Sequence, residues 1–233
     1  MNIETAQQPS GSSAIETRQL RFRWAKQQTP LHFPDIQLNR GEHLFLRGPS
    51  GTGKSTLLSM LAGMMLPETG TVNMLGTNLS KLKGGARDQF RADHMGVIFQ
   101  QFNLVPYLSA LANVTLPCRL SARRRQQTQN HPETVATSLL QQLSIPEPLW
   151  HRQVTDMSIG QQQRVAAARA LIGSPEVILA DEPTSALDTD NRNRFIELLL
   201  TLAHQHRCSV VFVSHDRSLA KHFHQQLSLG GEQ

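Results

Sequence analysis

The sequence has little that could tie it together covalently or hold it in a bilayer. Its two cysteines, Cys118 and Cys208, lie far apart and are read as reduced packing residues, which excludes the disulfide framework of a small secreted domain. The longest apolar run, Leu57 to Leu66, is interrupted by Ser59 and Gly63 and is too short to cross a membrane. The start, Met1 to Ser13, is polar and rich in Gln, Ser and Gly; it lacks the pattern of a signal peptide, and a frayed tail is expected there. Beyond that tail there is no low-complexity segment, and no internal repeat anywhere. Acidic residues are the minority: 18 Asp and Glu against 23 Lys and Arg give a formal charge of +5. The resulting pI near 9.8 suits a polyanion or an anionic lipid surface as a neighbour without establishing either. The densest basic patch, Arg123-Arg124-Arg125, has no aromatic residue interleaved and reads as a solvated helix face rather than a nucleic-acid contact.

What is present is α/β alternation. A chain of 233 residues can bury one proper core, with room for an inserted subdomain. Leu20, Phe22 and Trp24 alternate with polar neighbours as in a half-buried strand, and His43 to Leu46 reads as a short strand running into glycine. From Lys54 the pattern turns helical, with Leu57, Leu58 and Leu61 on one face and Gly63 as the stop. Gly70 to Gly76 and Met95 to Phe99 read as further strands. Between Gln101 and Asp156, Leu139, Leu140 and Leu143 keep helical spacing, while Pro106, Pro117, Pro132, Pro146 and Pro148 act as breakers, so a helical insert in several pieces is expected. Alternation then resumes: a helix over Ser158 to Leu171, a buried strand over Val177 to Ala180, an amphipathic helix over Asn191 to His204 and a buried strand over Ser209 to Val213. Short apolar runs of this kind fit a mostly parallel sheet covered on both faces.

Two motifs carry chemistry by themselves. Gly48-Pro49-Ser50-Gly51-Thr52-Gly53-Lys54-Ser55 fits the phosphate-loop pattern, in which glycines let backbone N–H groups and a helix N-terminus surround an anion. Lys54 would then neutralise the β- and γ-phosphates, and Ser55 would offer its hydroxyl to Mg²⁺. Val177-Ile178-Leu179-Ala180-Asp181-Glu182 ends a buried strand on two carboxylates, where open α/β sheets bind ligands. Asp181 is placed to serve the metal, and Glu182 to orient and deprotonate an attacking water. Together they indicate a nucleoside triphosphatase.

The stretch Ser158 to Leu171, SIGQQQRVAAARAL, opens on a capping box between Ser158 and Gln161. It also resembles the signature segment of ATP-binding-cassette proteins. Trp24 resembles that family's adenine-stacking aromatic, Gln100 its Q-loop glutamine, Ser185-Ala186-Leu187-Asp188 its D-loop and His215 its switch histidine. Met157 and Ile159 depart from the common Leu and Gly of the signature, while Ser158, Gly160 and Gln161 match. The segment Gly96 to Pro117 looks most like the lipoprotein-release and macrolide-export type of ATPase subunit.

The resemblance implies a P-loop NTPase core with an N-terminal antiparallel β portion. It places a disordered tail at residues 1–15, the ATPase domain at 16–233 and a helical subdomain at about 101–160. It further implies two ATP molecules sandwiched in a head-to-tail dimer. Trp24, Gly48, Pro49, Ser50, Gly51, Thr52, Gly53, Lys54, Ser55 and Thr56 would bind ATP from one chain, and Ser158, Gly160 and Gln161 from the other. Ser55, Gln100 and Asp181 would hold Mg²⁺, and Glu182, His215, Lys54 and Gln100 would act in hydrolysis. The partner would be a transmembrane permease, docked on the helical insert with Phe102, Leu104 and Tyr107 as candidates. The chain would sit in the cytoplasm on the inner face of the plasma membrane, with no direct nucleic acid expected. Three other classes are considered: a soluble cassette protein acting on nucleic acid or the ribosome, a nucleotide-sensing module, and a zinc protein using His204/His206 and His222/His224. The single cassette, the retention of Glu182 and His215, and the want of a cysteine pair argue against them in turn.

Overall fold

The computed structural model describes residues 13–25 and 29–230. Its elements are β1 (Ser13–Phe22), β2 (Leu31–His32), β3 (Gln37–Asn39), β4 (His43–Arg47), α1 (Lys54–Leu61), β5 (Thr69–Met74), β6 (Thr77–Asn78), α2 (Gly84–His94), β7 (Met95–Ile98), α3 (Ala110–Leu120), α4 (Ala122–Gln127), α5 (Pro132–Gln142), α6 (Ile159–Leu171), β8 (Val177–Asp181), α7 (Thr189–Gln205), β9 (Ser209–Val213) and β10 (Gln225–Ser228). They form two sheets. The first is antiparallel, with β1 paired to β2, β3 and β5. The second is parallel throughout, in the order β10-β4-β9-β8-β7.

The parallel sheet explains the nearly unbroken apolar runs. Along β4, β8 and β9 alternate residues point to opposite faces, and each face has its own core. Phe45, Ile178, Ala180, Val210 and Phe212 join a core completed by α3, α5, α6 and α7. Leu44, Leu46, Val177, Leu179, Val211 and Val213 join a second core with α1 and the antiparallel sheet. Fully buried aliphatic side chains of this kind contribute roughly 2 kcal/mol each. A charge at any of these core positions would therefore disrupt one core or the other.

Register places the functional loops. Leu46 of β4 lies beside Val213 of β9, Val213 beside Asp181 of β8, and Ala180 beside Ile98 of β7. These four neighbouring strands end level, so the loops that follow them leave from one edge of the sheet.

The structure corrects three expectations. The first strand begins at Ser13, inside the stretch assigned to a tail: Ala14 and Ile15 are fully buried and Ile15 pairs with Met74 and Leu38. Residues 1–12 lie outside the described residues. Pro117 does not break the insert but sits within α3, where Ser109 caps the start and Val114 and Cys118 are buried; that packing outweighs the missing N–H. Pro132 opens α5 at its first turn, where a proline N–H is not needed. Finally, the Arg123 to Arg125 run is not wholly a solvated face. Arg124 is buried, and its guanidinium donates to Ile172 O and Ala170 O at the C-terminal end of α6 and to Met95 O at the start of β7. It caps a helix end whose carbonyls have no partner of their own, and burial lowers its pKa to about 10. Arg123 meanwhile pairs with Glu176. The insert is thus fastened to the sheet through α4.

Candidate functional site

The loop after β4 is shaped by glycines that serve different ends. Gly51 and Gly53 are left-handed, with φ of 82° and 91°. A Cβ on Gly53 would lie 3.0 Å from Phe33 Cε1, and one on Gly48 2.6 Å from Leu229 O, so the fold itself demands glycine there. Nothing lies within 4 Å of a Cβ on Gly51, whose demand is conformational alone. The helix that follows, α1, has no side-chain cap and no acidic residue in its first turn. Its N-terminal N–H groups and dipole are left for an anion from outside.

Lys54 is only 8% exposed, and its ammonium donates to Gly48 O (2.8 Å) and Pro49 O (2.9 Å) inside the loop. The adjoining cleft, about 410 Å³, is lined by Trp24, Leu31, Ser50, Gly51 and residues 53–56, with Gln100, Asp181 and Glu182 opposite. Trp24 is 45% exposed and rests edge-on against Phe22, so a ring face remains for a planar ligand. Thr52 is turned away: its hydroxyl donates to Pro49 O and it lines a different cavity with Phe33.

Opposite the loop, Asp181 accepts a hydrogen bond from the Ser55 side chain. Glu182 lies 3.9 Å from Lys54 Nζ and 3.4 Å from His215 Nδ1. Its backbone is left-handed, φ 43°, an unfavourable conformation for a glutamate and one that sequence does not reveal. Glu182 N donates to Val213 O, which holds the strained residue at the sheet edge. The His215 ring is 68% exposed.

The Ser158 segment stands elsewhere. Ser158 Oγ accepts from Gln161 N and Gln161 Oε1 from Ser158 N, closing the expected capping box at the start of α6. Ser158, Ile159 and Gly160 line a separate cleft of about 490 Å³ with Ala186, Leu187 and Asp188. It shares no lining residue with the Lys54 cleft. Ile159 is 55% exposed.

The family model described as "ABC transporter" matches residues 31–185, which run from β2 to Ser185 and take in the phosphate loop, Gln100, the start of α6 and the Asp181–Glu182 pair. The chain belongs to the ABC transporter family. It is an ATP-binding subunit and an ATPase. An uncharacterized ABC transporter ATP-binding protein of Escherichia coli K12, YbbA, is 41% identical over 80% of this chain and 79% of its own length. The lipoprotein-releasing system ATP-binding protein LolD of Xylella fastidiosa is 40% identical over 80% and 76%. Among solved structures, a dimeric ATP-binding cassette, MJ0796, in a post-hydrolysis state with ADP and Pi is 32% identical, covers 92% of this chain and 94% of its own, and superposes with a TM-score of 0.79.

In this ABC ATPase one residue that sequence reasoning passed over helps to place the site. Arg169 of α6 donates to Asn103 O (2.7 Å) and Phe102 O (2.6 Å), gripping two left-handed residues just beyond Gln100. Of the docking candidates, Phe102 is buried and Leu104 packs on the core, while Tyr107 is 73% exposed. Two of the histidines weighed for zinc are hydrogen-bonded within the fold, His206 to Ser174 and His224 to His43 N.

Asp181 carries a measurable consequence. Burial raises its pKa above the ordinary carboxylate value, the Ser55 hydrogen bond lowers it, Glu182 raises it and Lys54 lowers it, and the net shift is upward. A carboxyl with a raised folded pKa is comfortable when neutral, at low pH, and loses stability as pH rises through that pKa. Its ionised form is the one that the folded site disfavours. Asp181→Asn keeps an acceptor for Ser55, and is expected to raise the melting temperature of the nucleotide-free protein by about 2 °C while abolishing ATP turnover. Thermal melts and a phosphate-release assay check this; a lower melting temperature contradicts it.

Proposed function

We propose that this ATPase drives a membrane permease by closing, with a second copy of itself, over two ATP molecules. The separation of the Lys54 cleft from the Ser158 cleft carries the reading. Two half-sites within one chain that share no wall are completed when two chains meet head to tail. Gly160 supports this. A Cβ there would meet only ordinary contacts, Leu187 Cδ2 at 3.6 Å and Arg164 Nη2 at 3.8 Å. The fold itself does not call for glycine at that position, and its absence of a side chain leaves the start of α6 open to close approach from outside.

In the closed site the N–H groups of residues 51–56 and Lys54 hold the β- and γ-phosphates, and Trp24 stacks on the base. Ser55, Gln100 and Asp181 would hold Mg²⁺; the half-buried Asp181 with its raised pKa and Ser55 contact fits a cation of this kind. When bound, Mg²⁺ neutralises charge on the transferring phosphoryl group. Glu182 takes the proton of the attacking water, with His215 beside it. Ser158, Gly160 and Gln161 of the partner face the γ-phosphate. Hydrolysis removes the bridge and the pair reopens.

For the permease, the structure offers an apolar groove of about 580 Å³ between α2 and α3, lined by Val97, Phe99, Leu116 and Pro117 and flanked by the exposed Met64 and Leu120. Its apolar walls suit side chains of a partner segment. Among the described residues no helix is long and apolar enough to cross a membrane, so anchorage falls to the permease. Tagged protein recovered from detergent-solubilised membranes is expected to bring down a multi-spanning protein, and Leu120→Asp to lose it while keeping ATP binding. Recovery without any membrane protein, with ATPase activity stimulated by nucleic acid at physiological salt, overturns the reading.

A further inference from the structure

Around the Glu182–His215 contact one cation is left over that the chemistry described above does not use. Arg192, in the first turns of α7, pairs with Asp216, Nη1 to Oδ2 at 2.5 Å, and both side chains are largely shielded from solvent. Its Nε is buried and, among the described residues, has no hydrogen-bond partner, so the Asp216 contact is what fixes the guanidinium. Glu182, Thr184, His215, Asp216 and Arg192 line one small polar cavity of about 40 Å³.

The two ends of this pair belong to different parts of the machinery. Arg192 N donates to Asp188 O, and Asp188 caps α7 by accepting from Asn191 N and Nδ2, so Arg192 is rigidly tied to the segment Ser185 to Asp188. Asp216 follows His215 directly. It accepts from Ser218 N, and its own N–H donates to Ser214 Oγ. Ser214 N is held by Leu46 O of β4. The chain before His215 is therefore fixed to the sheet through its backbone, and the residue after it to α7 through its side chain, while the exposed imidazole touches Glu182.

We propose that Arg192 is a positioning residue: by holding Asp216 it sets the direction from which His215 meets Glu182 and the γ-phosphate. The proposal rests on the reading that Glu182 and His215 act in hydrolysis. Its physical basis is geometric, since a small displacement of a reacting group is costly even when the fold is unchanged. A partly shielded ion pair adds little to stability, but it can decide where a loop stands.

The test uses the full chain with wild-type, Arg192→Met, Arg192→Lys, Asp216→Asn and the Met/Asn double variant, with His215→Ala as the control. Asp216→Asn keeps an acceptor for Ser218 N. Arg192→Met and Asp216→Asn are each expected to lower kcat about tenfold with KM for ATP and melting temperature nearly unchanged. The Lys variant is expected to stay within about twofold of wild type, and the double variant to fall about tenfold rather than about a hundredfold, as coupled partners do. Full activity of Arg192→Met, multiplied losses in the double variant, or losses in KM and melting temperature alone would overturn the proposal. If His215→Ala retains full turnover, it is the reading of the catalytic pair that fails instead.

Discussion

Glu182→Gln is expected to lower ATP turnover by about two to three orders of magnitude while leaving nucleotide binding intact and accumulating an ATP-bound dimer. The geometry makes the substitution clean. Glutamine keeps the size of the side chain and can still contact Lys54 and His215, which lie 3.9 Å and 3.4 Å from the carboxylate. It also leaves the backbone of residue 182, held in its left-handed conformation through Val213 O, as it was. What is lost is the ability to take a proton. Single-turnover phosphate release measures the chemical step, and size-exclusion chromatography with and without ATP and Mg²⁺ measures the dimer. A loss smaller than about tenfold would remove Glu182 from the role of base, because general-base contributions are larger than that.

How much of this could be read from sequence depends on whether the deciding contact is local. The strands β7, β8 and β9 were legible because a buried parallel strand is apolar on both faces, and the phosphate loop because its glycine spacing answers local backbone geometry. The capping box at Ser158 was legible for the same reason. β10 was not: Gln225-Gln226-Leu227-Ser228 is an edge strand paired only to β4, and half of it faces away from any core. Neither was α2, which buries no residue fully and rests on the core mainly through Phe90, too little for a clear apolar stripe. The arginines show the limit most sharply. A run such as Arg123-Arg124-Arg125 reads as surface, yet Arg124 reaches carbonyls at Met95, Ala170 and Ile172 that are remote in sequence. Arg169 and Arg192 likewise act through partners on other elements. A guanidinium that satisfies carbonyls or a distant carboxylate leaves no periodicity behind. The pairing of the signature with the phosphate loop was accessible only through resemblance, since within one chain the two line different clefts.

That last separation gives a second large effect and a test of its cause. Ser158→Arg places a long cation where the start of α6 must approach the partner's nucleotide, and it removes the Oγ that caps Gln161 N. Loss of the cap alone costs about 1 kcal/mol, too little to unfold the chain. ATP turnover is nevertheless expected to fall by at least about two orders of magnitude, through loss of a donor to the transferring phosphoryl group at each site that the altered segment completes. ATP binding at Lys54 should survive, because Ser158 lines another cleft. The cause is separated from simple damage by mixing Ser158→Arg with Glu182→Gln. In a mixed dimer, the phosphate loop and Glu182 of the first variant meet the intact Ser158 of the second, giving one wholly native site. The other site carries both defects. Activity should therefore reappear when two inactive proteins are combined, and should rise and then fall as their ratio is varied. If each site were contained in one chain, no ratio would restore turnover, because neither variant would bring a complete set of residues to any nucleotide.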